Sequence, residues 1–395
     1  QCTVICPNGF DMSQVCKSAR ENMVSTDKMP LAPHEFALMD MLFSNSEAFL
    51  SRLQPGYETC RYVFFPGCQA GAIAPDVVMQ AYEDLSNRVD RGVALMLGCC
   101  GAISEWAGRY EMTEKVNEQL KQELAKLGDP IIIAGCPSCM KQLKESIGAH
   151  VIGIWEILRE IGLPQQAKGL EIPVAIHDAC GARGDAQTQD MIRQLLSDMG
   201  CIVEDTEYSR DLSPCCGYGG LTAYANKDMA AKMTEKCLER SDAPYITYCM
   251  ACRDRFAREG RESRHILELL YGANASNMPD ISEKRYNRLI LKQTLLKNIW
   301  NEEPIMEKKD YTVAYTEEAI HMMDERMILK SDVERVLSDY RENQEAILDE
   351  ETKELVTRSR LGNVTFWVRF VETEDGYLVH RAYSHRMNIM KRVGQ

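Results

Sequence analysis

Ten of the sixteen cysteines fall into two sets of five with one shared spacing. The first set is Cys68, Cys99-Cys100-Gly101 and Cys136-x-x-Cys139; the second is Cys180, Cys215-Cys216-Gly217 and Cys249-x-x-Cys252. Corresponding positions lie 112 (68 to 180), 116 (99 to 215) and 113 (136 to 249) residues apart, and His150 and His265 extend the register at 115. Thiolates are soft metal ligands. Structural zinc closes its shell with four ligands, commonly two Cys-x-x-Cys pairs, and an adjacent Cys-Cys with a distant partner suits one small ion poorly. A multi-iron cluster spreads its ligands over several ångströms, and five thiols suffice for a cluster opened beyond the cubane that takes four. The sets therefore predict iron–sulfur redox chemistry. A zinc-stapled scaffold is the alternative, and colourless, redox-silent protein would be its sign.

Short apolar runs precede the cysteines: Tyr62 to Phe65, Val93 to Leu97 and Ile131 to Ala134 in the first copy, Val174 to Ile176, Ile202-Val203 and Tyr245 to Tyr248 in the second. Between them Asp76–Val89, Met112–Leu127, Gln187–Met199 and Ala223–Arg240 carry apolar residues at helical spacing. Alternating strands and helices predict parallel α/β units, whose functional loops gather at the carboxyl ends of the strands. Each set of five should converge there. Gly101, Gly217, Gly219 and Gly220 are expected to let backbone N–H groups approach the sulfurs, with ordinary tight turns as the alternative.

The duplicated pattern over residues 60–272 resembles the cysteine-rich CCG-domain proteins typified by the catalytic subunit of heterodisulfide reductase. All ten cysteines match that family's motif. The resemblance implies two noncubane 4Fe–4S clusters facing one another across a cavity where a small-molecule disulfide is split, in anaerobic metabolism. Relatives serving as redox subunits of glycolate, lactate or glycerol-phosphate oxidation often keep only part of the set; both sets are complete here. His177 and Asp178 before Cys180, and Arg183 after it, are candidates for proton supply and for neutralising an anionic substrate. A packed histidine and a solvated arginine are the plainer readings.

Cys2-x-x-x-Cys6-Pro7 resembles the second half of a bacterial ferredoxin run, with the first half upstream. Cys2 and Cys6 are then ligands of one or two cubane 4Fe–4S clusters shared with that upstream segment, feeding electrons to the noncubane pair. No Gly-x-Gly-x-x-Gly follows a strand, which assigns any flavin or NAD(P)H site, or a ferredoxin donor, to an upstream domain or a partner subunit. The competing functional class is an electron-transfer subunit that relays between a dehydrogenase and another acceptor with no disulfide of its own. Cys16, Cys60, Cys201 and Cys237 have no motif partners and read as core residues.

The expected fold class is α/β: two homologous parallel units related by a pseudo-two-fold, with a helical ferredoxin-like remnant before them and a small α+β domain after. The expected boundaries are 1–59, 60–165, 166–272, a linker at 273–310 and an accessory domain at 311–395. The last opens with helices, one started by a capping box at Ser331 and Glu334, and closes with a hairpin turning at Glu374-Asp375-Gly376. A net charge of −13 repels phosphate backbones and anionic lipid, which excludes nucleic acid and direct membrane adsorption. No run reaches the roughly 18 apolar residues of a membrane span. Sixteen cysteines with two adjacent pairs and no recognisable secretory leader predict a reducing, cytoplasmic setting.

Overall fold

All but one of the apolar runs form strands buried on both faces, as parallel sheets covered by helices require; the strand Val203–Asp205 is an edge strand, half-buried to exposed, and Ile202 before it is exposed. In the computed structural model, which describes residues 2–29, 32–272, 278–303, 310–361 and 364–386, the chain divides into two units. One is built on residues 1–278 and 285–304, the other on 279–284 and 305–395.

The larger unit holds two sheets. The first comprises β1 (Leu50–Arg52), β2 (Tyr62–Phe65), β3 (Val93–Leu97), β4 (Ile131–Ala134) and β5 (Val151–Gly153), in the order β1-β3-β2-β4-β5. The second comprises β6 (Val174–His177), β7 (Val203–Asp205), β8 (Tyr245–Thr247) and β9 (Ser263–His265), in the order β7-β6-β8-β9. Apart from the antiparallel β1, every pairing is parallel, and the two sheets share one topology. Strand order reverses at β2 and at β6, so the loops leaving neighbouring strands diverge and open a crevice at their carboxyl ends.

The expected helices form, as Pro75–Arg88, Tyr110–Lys126, Ala186–Asp198 and the pair Thr222–Ala225 and Lys227–Leu238. The fourth is broken at Asn226, whose side chain caps the second piece by accepting from Met229 N–H. The histidine register is not structural. His265 ends β9 and caps the helix Ile266–Leu270, whereas the equivalent residue of the first copy is Gly153; His150 lies exposed ahead of β5. Both helix starts share a different device, a glutamate (Glu156, Glu268) accepting the N–H of Gly153 or His265 at 2.7 Å.

The stretch expected to be a linker carries the helix Ile281–Trp300. From Arg285 onward it packs on the first sheet's unit, burying Leu291 and Leu295 in the shared core. Trp155 of the first copy, 1% exposed, meets Tyr248 of the second edge to face at 6.2 Å and locks the copies together.

The smaller unit is α+β. Its strands β10 (Thr312–Tyr315), β11 (Ile347–Leu348), β12 (Leu355–Leu361), β13 (Val364–Thr373) and β14 (Gly376–His385) run in the order β10-β14-β13-β12-β11. The hairpin β13–β14 turns where expected, with a bulge at Arg369/Phe370. The helices Glu317–Arg326 and Lys330–Asn343 bury Met323, Val333 and Leu337 with Val368, Phe370 and Val379. The second helix is capped two residues earlier than expected: Leu329 is its N-cap, and Leu329 N–H donates to Asp332. Among the described residues no helix is long and apolar enough to cross a membrane.

Candidate metal centre

Each cysteine leaves the end of a strand. Cys68 opens the helix Cys68–Ile73 after β2, Cys99 and Cys100 follow β3, and Cys136 follows β4 as the N-cap of the helix Pro137–Ile147, with Cys139 at its first turn. In the second copy Cys180 follows β6, Cys215 and Cys216 end the loop after β7, and Cys249 caps the helix Met250–Arg258, which carries Cys252 in its first turn. Helix N-termini present free N–H groups and partial positive charge to thiolates.

Nine of the ten, all but Cys215, line a single cavity between the two copies. Each thiol perturbs the acidity of its neighbour, and these interactions link all ten. Outward from the contact Cys136–Cys249 the path runs Cys139, Cys100, Cys99, Cys68 on one side and Cys252, Cys216, Cys215, Cys180 on the other. The two sequences correspond position by position. The pseudo-two-fold therefore passes between Cys136 and Cys249, where the sets touch.

The crowding shows in the acidities. The neighbouring Cys99 thiol and burial push Cys68 well up, the thiols of Cys100 and Cys136 do the same for Cys139, and the Cys136 thiol raises Cys249 to about 12. Cys180, Cys216 and Cys252 are likewise raised by thiol neighbours and burial. Cys100 is held down to about 6 by the thiols of Cys139 and Cys99, and Cys215 to about 2 by those of Cys180 and Cys216. Ten such thiols cannot ionise together without added positive charge. A soft, multi-iron core fits that requirement. All sixteen cysteines are free thiols. Among the described residues no three His, Cys, Asp or Glu side chains gather as round one ion; the thiols are strung along a path, which suits the spread ligands of a cluster better than tetrahedral zinc.

Backbone N–H groups do reach sulfur. Gly101 N–H bonds Cys99, and those of Gly217 and Gly219 bond Cys215, the former at 3.4 Å. Gly217 is required doubly: its φ is +93°, and a Cβ there would lie 2.5 Å from the Ala230 carbonyl. Gly220 faces open space.

His177, Asp178 and Arg183 are not brought to the cavity wall. His177 packs edge-on against Phe256 at 4.8 Å, and burial lowers it to about 4, so it is neutral at physiological pH. Burial opposes ionisation of Asp178, yet Arg193 at 2.9 and 3.0 Å, the Arg210 N–H and the Tyr248 hydroxyl hold it below the usual carboxylate range. It ties the helix Ala186–Asp198 to the segment at Arg210 and to the end of β8. The Arg183 guanidinium donates to the Ser213 carbonyl, bracing the loop that carries Cys215. Cys2 is exposed and Cys6 half-buried, its sulfur accepting from Phe10 N–H at 3.4 Å; neither lines the cavity. Cys60, Cys201 and Cys237 are buried as expected, but Cys16 is exposed.

Several positioning residues escaped the sequence reading. Asn45 clamps the Cys99 peptide, accepting its N–H at 2.7 Å and donating to its carbonyl at 3.1 Å. Arg288, 4% exposed, donates to the Cys68 carbonyl at 2.9 Å and pairs with Asp40 at 2.7 Å. Gly67 and Gly181 allow close approach to the thiols and between the copies: a Cβ would fall 3.2 Å from the Cys139 sulfur and 2.7 Å from Ser138 N, respectively. The glycines stood beside Cys68 and Cys180 in the sequence and were legible; Asn45 and Arg288 gave no local signal.

Fold and site together define a duplicated cysteine-rich α/β domain. The CCG cysteine-rich domain family matches the chain twice, at residues 62–144 and 174–256. Among curated proteins the chain is 24% identical over 273 residues to an uncharacterized iron–sulfur protein of Methanococcus maripaludis, covering 64% of this chain and 54% of that protein. It is 26% identical over 180 residues to an uncharacterized iron–sulfur protein of Methanocaldococcus jannaschii, covering 44% and 35%. The chain thus spans about half the length of the first and a third of the second. No solved structure matches it.

Proposed function

We propose that this chain is an iron–sulfur oxidoreductase of heterodisulfide-reductase type, acting on a disulfide between two clusters held by its two five-cysteine sets. The observation that carries the reading is the convergence of the two sets on one cavity, which nine of their ten cysteines line, with Cys136 and Cys249 in contact across the pseudo-two-fold. A protein that only relayed electrons would not need both five-cysteine sets to meet at one cavity. The relatives named as iron–sulfur proteins support the cofactor class.

Cys68, Cys99, Cys100, Cys136 and Cys139 would hold one cluster, and Cys180, Cys215, Cys216, Cys249 and Cys252 the other. When bound, such groups supply single electrons at low potential and iron with affinity for sulfur. The chain's own part is positional. Asn45, Arg288 and Arg183 fix the loops, the apolar wall excludes bulk water, and the glycine N–H groups stabilise negative sulfur. The overall reaction breaks one S–S bond and consumes two electrons and two protons to give two thiols. The protons come from solvent, and the electrons from ferredoxin-type clusters, to which Cys2 and Cys6 would contribute, or from a flavin or NAD(P)H partner.

The test is the iron and acid-labile sulfide content of anaerobically purified protein, joined to paramagnetic resonance while thiols are added under oxidising conditions. About eight irons in the two sets, with signals altered by a thiol, is the expected result. The same iron with signals indifferent to every thiol and disulfide would make the protein an electron relay instead.

A further inference from the structure

His265 stands near the point where the two cysteine sets meet. It ends β9, and the register that pairs it with Thr247 puts it beside the strand end from which Cys249 leaves, the thiol in contact with Cys136. Its side chain is buried, with the residue 1% exposed. Nδ1 accepts the Leu267 N–H at 3.2 Å as the cap of the helix Ile266–Leu270, so the proton of the neutral ring is on Nε2. That N–H is buried and has no hydrogen-bond acceptor among the described residues. The Tyr248 carbonyl is near the ring but outside bonding geometry, and of the surrounding charges the Cys136 thiolate acts on the ring most strongly. A buried N–H without an acceptor is costly, and few persist without a cause. In the first copy the matching place is Gly153, paired with Ala134 two residues before Cys136. The space a side chain would take there holds the Trp155 indole: a Cβ on Gly153 would lie 2.2 Å from its Nε1, which is likewise buried without a partner.

We infer that the Nε2–H of His265 is a hydrogen-bond donor to cluster-bound sulfur at the Cys136–Cys249 contact and sets the potential there, an inference that rests on the two-cluster part of the reading above. An N–H aimed at sulfur stabilises the more negative, reduced cluster and so raises its potential. No proton moves: reduction adds one electron from an external donor, and the hydrogen stays on nitrogen. The glycine N–H groups already serve Cys99 and Cys215, away from the contact. His265 serves the centre, and it does so from one copy only, because Gly153 offers no side chain at the matching place. Two sets alike in their cysteines thus differ in what surrounds them, an indole in one half and an imidazole in the other.

The test uses the full chain, purified anaerobically with its iron, and two substitutions that separate the ring's two nitrogens. His265→Asn places an acceptor where Nδ1 stands, keeping the helix cap, but reaches no further and loses the donor. His265→Gln carries an N–H to the reach of Nε2 and gives up the cap. Cluster midpoints are read by paramagnetic resonance in a poised redox titration with no disulfide present, and fold stability by urea. His265→Asn should keep its iron and its urea midpoint, and lower at least one cluster midpoint by about 59 mV, the shift of a tenfold change in a one-electron equilibrium. His265→Gln should keep both cluster midpoints and unfold at lower urea. Unchanged midpoints in His265→Asn, equal shifts in the two variants, or iron lost from both alike would leave His265 a helix cap and overturn the inference, with the reductase reading still standing. A parent chain that holds no iron–sulfur overturns that reading and the inference with it.

Discussion

Arg253 follows Cys252 directly, and its guanidinium is fully buried, as is the carboxylate it meets: Nη2 lies 3.0 Å from Glu268, at side-chain exposures of 0% and 2%. Nε adds a contact at 3.3 Å, and Glu268 also accepts the His265 N–H at 2.7 Å. The pair thus fastens the helix bearing Cys249 and Cys252 to the strand and helix that follow. Arg253→Leu leaves the carboxylate buried with one N–H for company, a change that costs about 3–5 kcal/mol. For a unit of this size that lowers the urea midpoint by about 1 M or more, followed anaerobically by circular dichroism. The sign with pH is fixed. Burial already raises Glu268 above the ordinary value, against the opposing effects of Arg253 and the His265 N–H, and removing the arginine raises it further. Between the unfolded and folded values the folded state holds the extra proton, so the variant's stability falls as pH rises through that window, and its deficit is larger at pH 8 than at pH 5. Arg253→Leu combined with Glu268→Leu removes both charges and should recover most of the loss. A deficit under about 1 kcal/mol, or one that shrinks as pH rises, would refute the claim that the buried charge holds this segment.

Asn45→Ala removes both hydrogen bonds to the Cys99 peptide and should cost about 2 kcal/mol, with iron lost from the first set while the second is kept, as read by iron analysis. Arg288→Met strands Asp40, whose remaining ionic partner Arg285 stands 3.8 Å off, and frees the Cys68 carbonyl. A loss of about 2–4 kcal/mol and reduced iron are expected by the same two assays. Gly67→Ala places a Cβ at φ +88° and 3.2 Å from the Cys139 sulfur, so iron content should drop. Gly148→Ala, at φ +66° with open space around it, should cost about 1 kcal/mol and leave the iron unchanged.

The sheets and the thiols were legible for the same reason: both signals are local. Runs such as Val93 to Leu97 are buried end to end because a covered parallel strand has no polar face, and the Cys-x-x-Cys pairs sit at helix starts whose register the following residues set. What sequence reading missed is nonlocal. The shared 115-residue offset of His150 and His265 is a coincidence of spacing, since the copies align through Gly153 and His265 and the glutamates that cap the next helices. Asp178 looked chemical because it stood two residues from Cys180, yet Arg193, Arg210 and Tyr248, which lie up to 70 residues further along the chain, make it a brace. Cys16, taken for core, is exposed because the helix Met12–Ser25 buries no residue.

The duplication also hides a difference between its halves. In the second copy the supports for the cysteine loops are internal: Thr234 holds the Cys216 carbonyl at 2.8 Å, Cys237 donates to the Cys215 carbonyl at 3.5 Å, and Arg183 braces Ser213. The first copy borrows its supports, from Asn45 ahead of it and from Arg288 more than two hundred residues beyond Cys68. Loops fixed by contacts distant in sequence are ordered only once those segments have docked, because each distant contact must first overcome the entropy of closing its loop. The first set of thiols is therefore complete only when residues 35–59 and the helix Ile281–Trp300 are in place, whereas the second is set by its own domain. Two sites that match cysteine for cysteine are thus built by different routes, and a variant that loosens the helix Ile281–Trp300 should empty the first set before it touches the second.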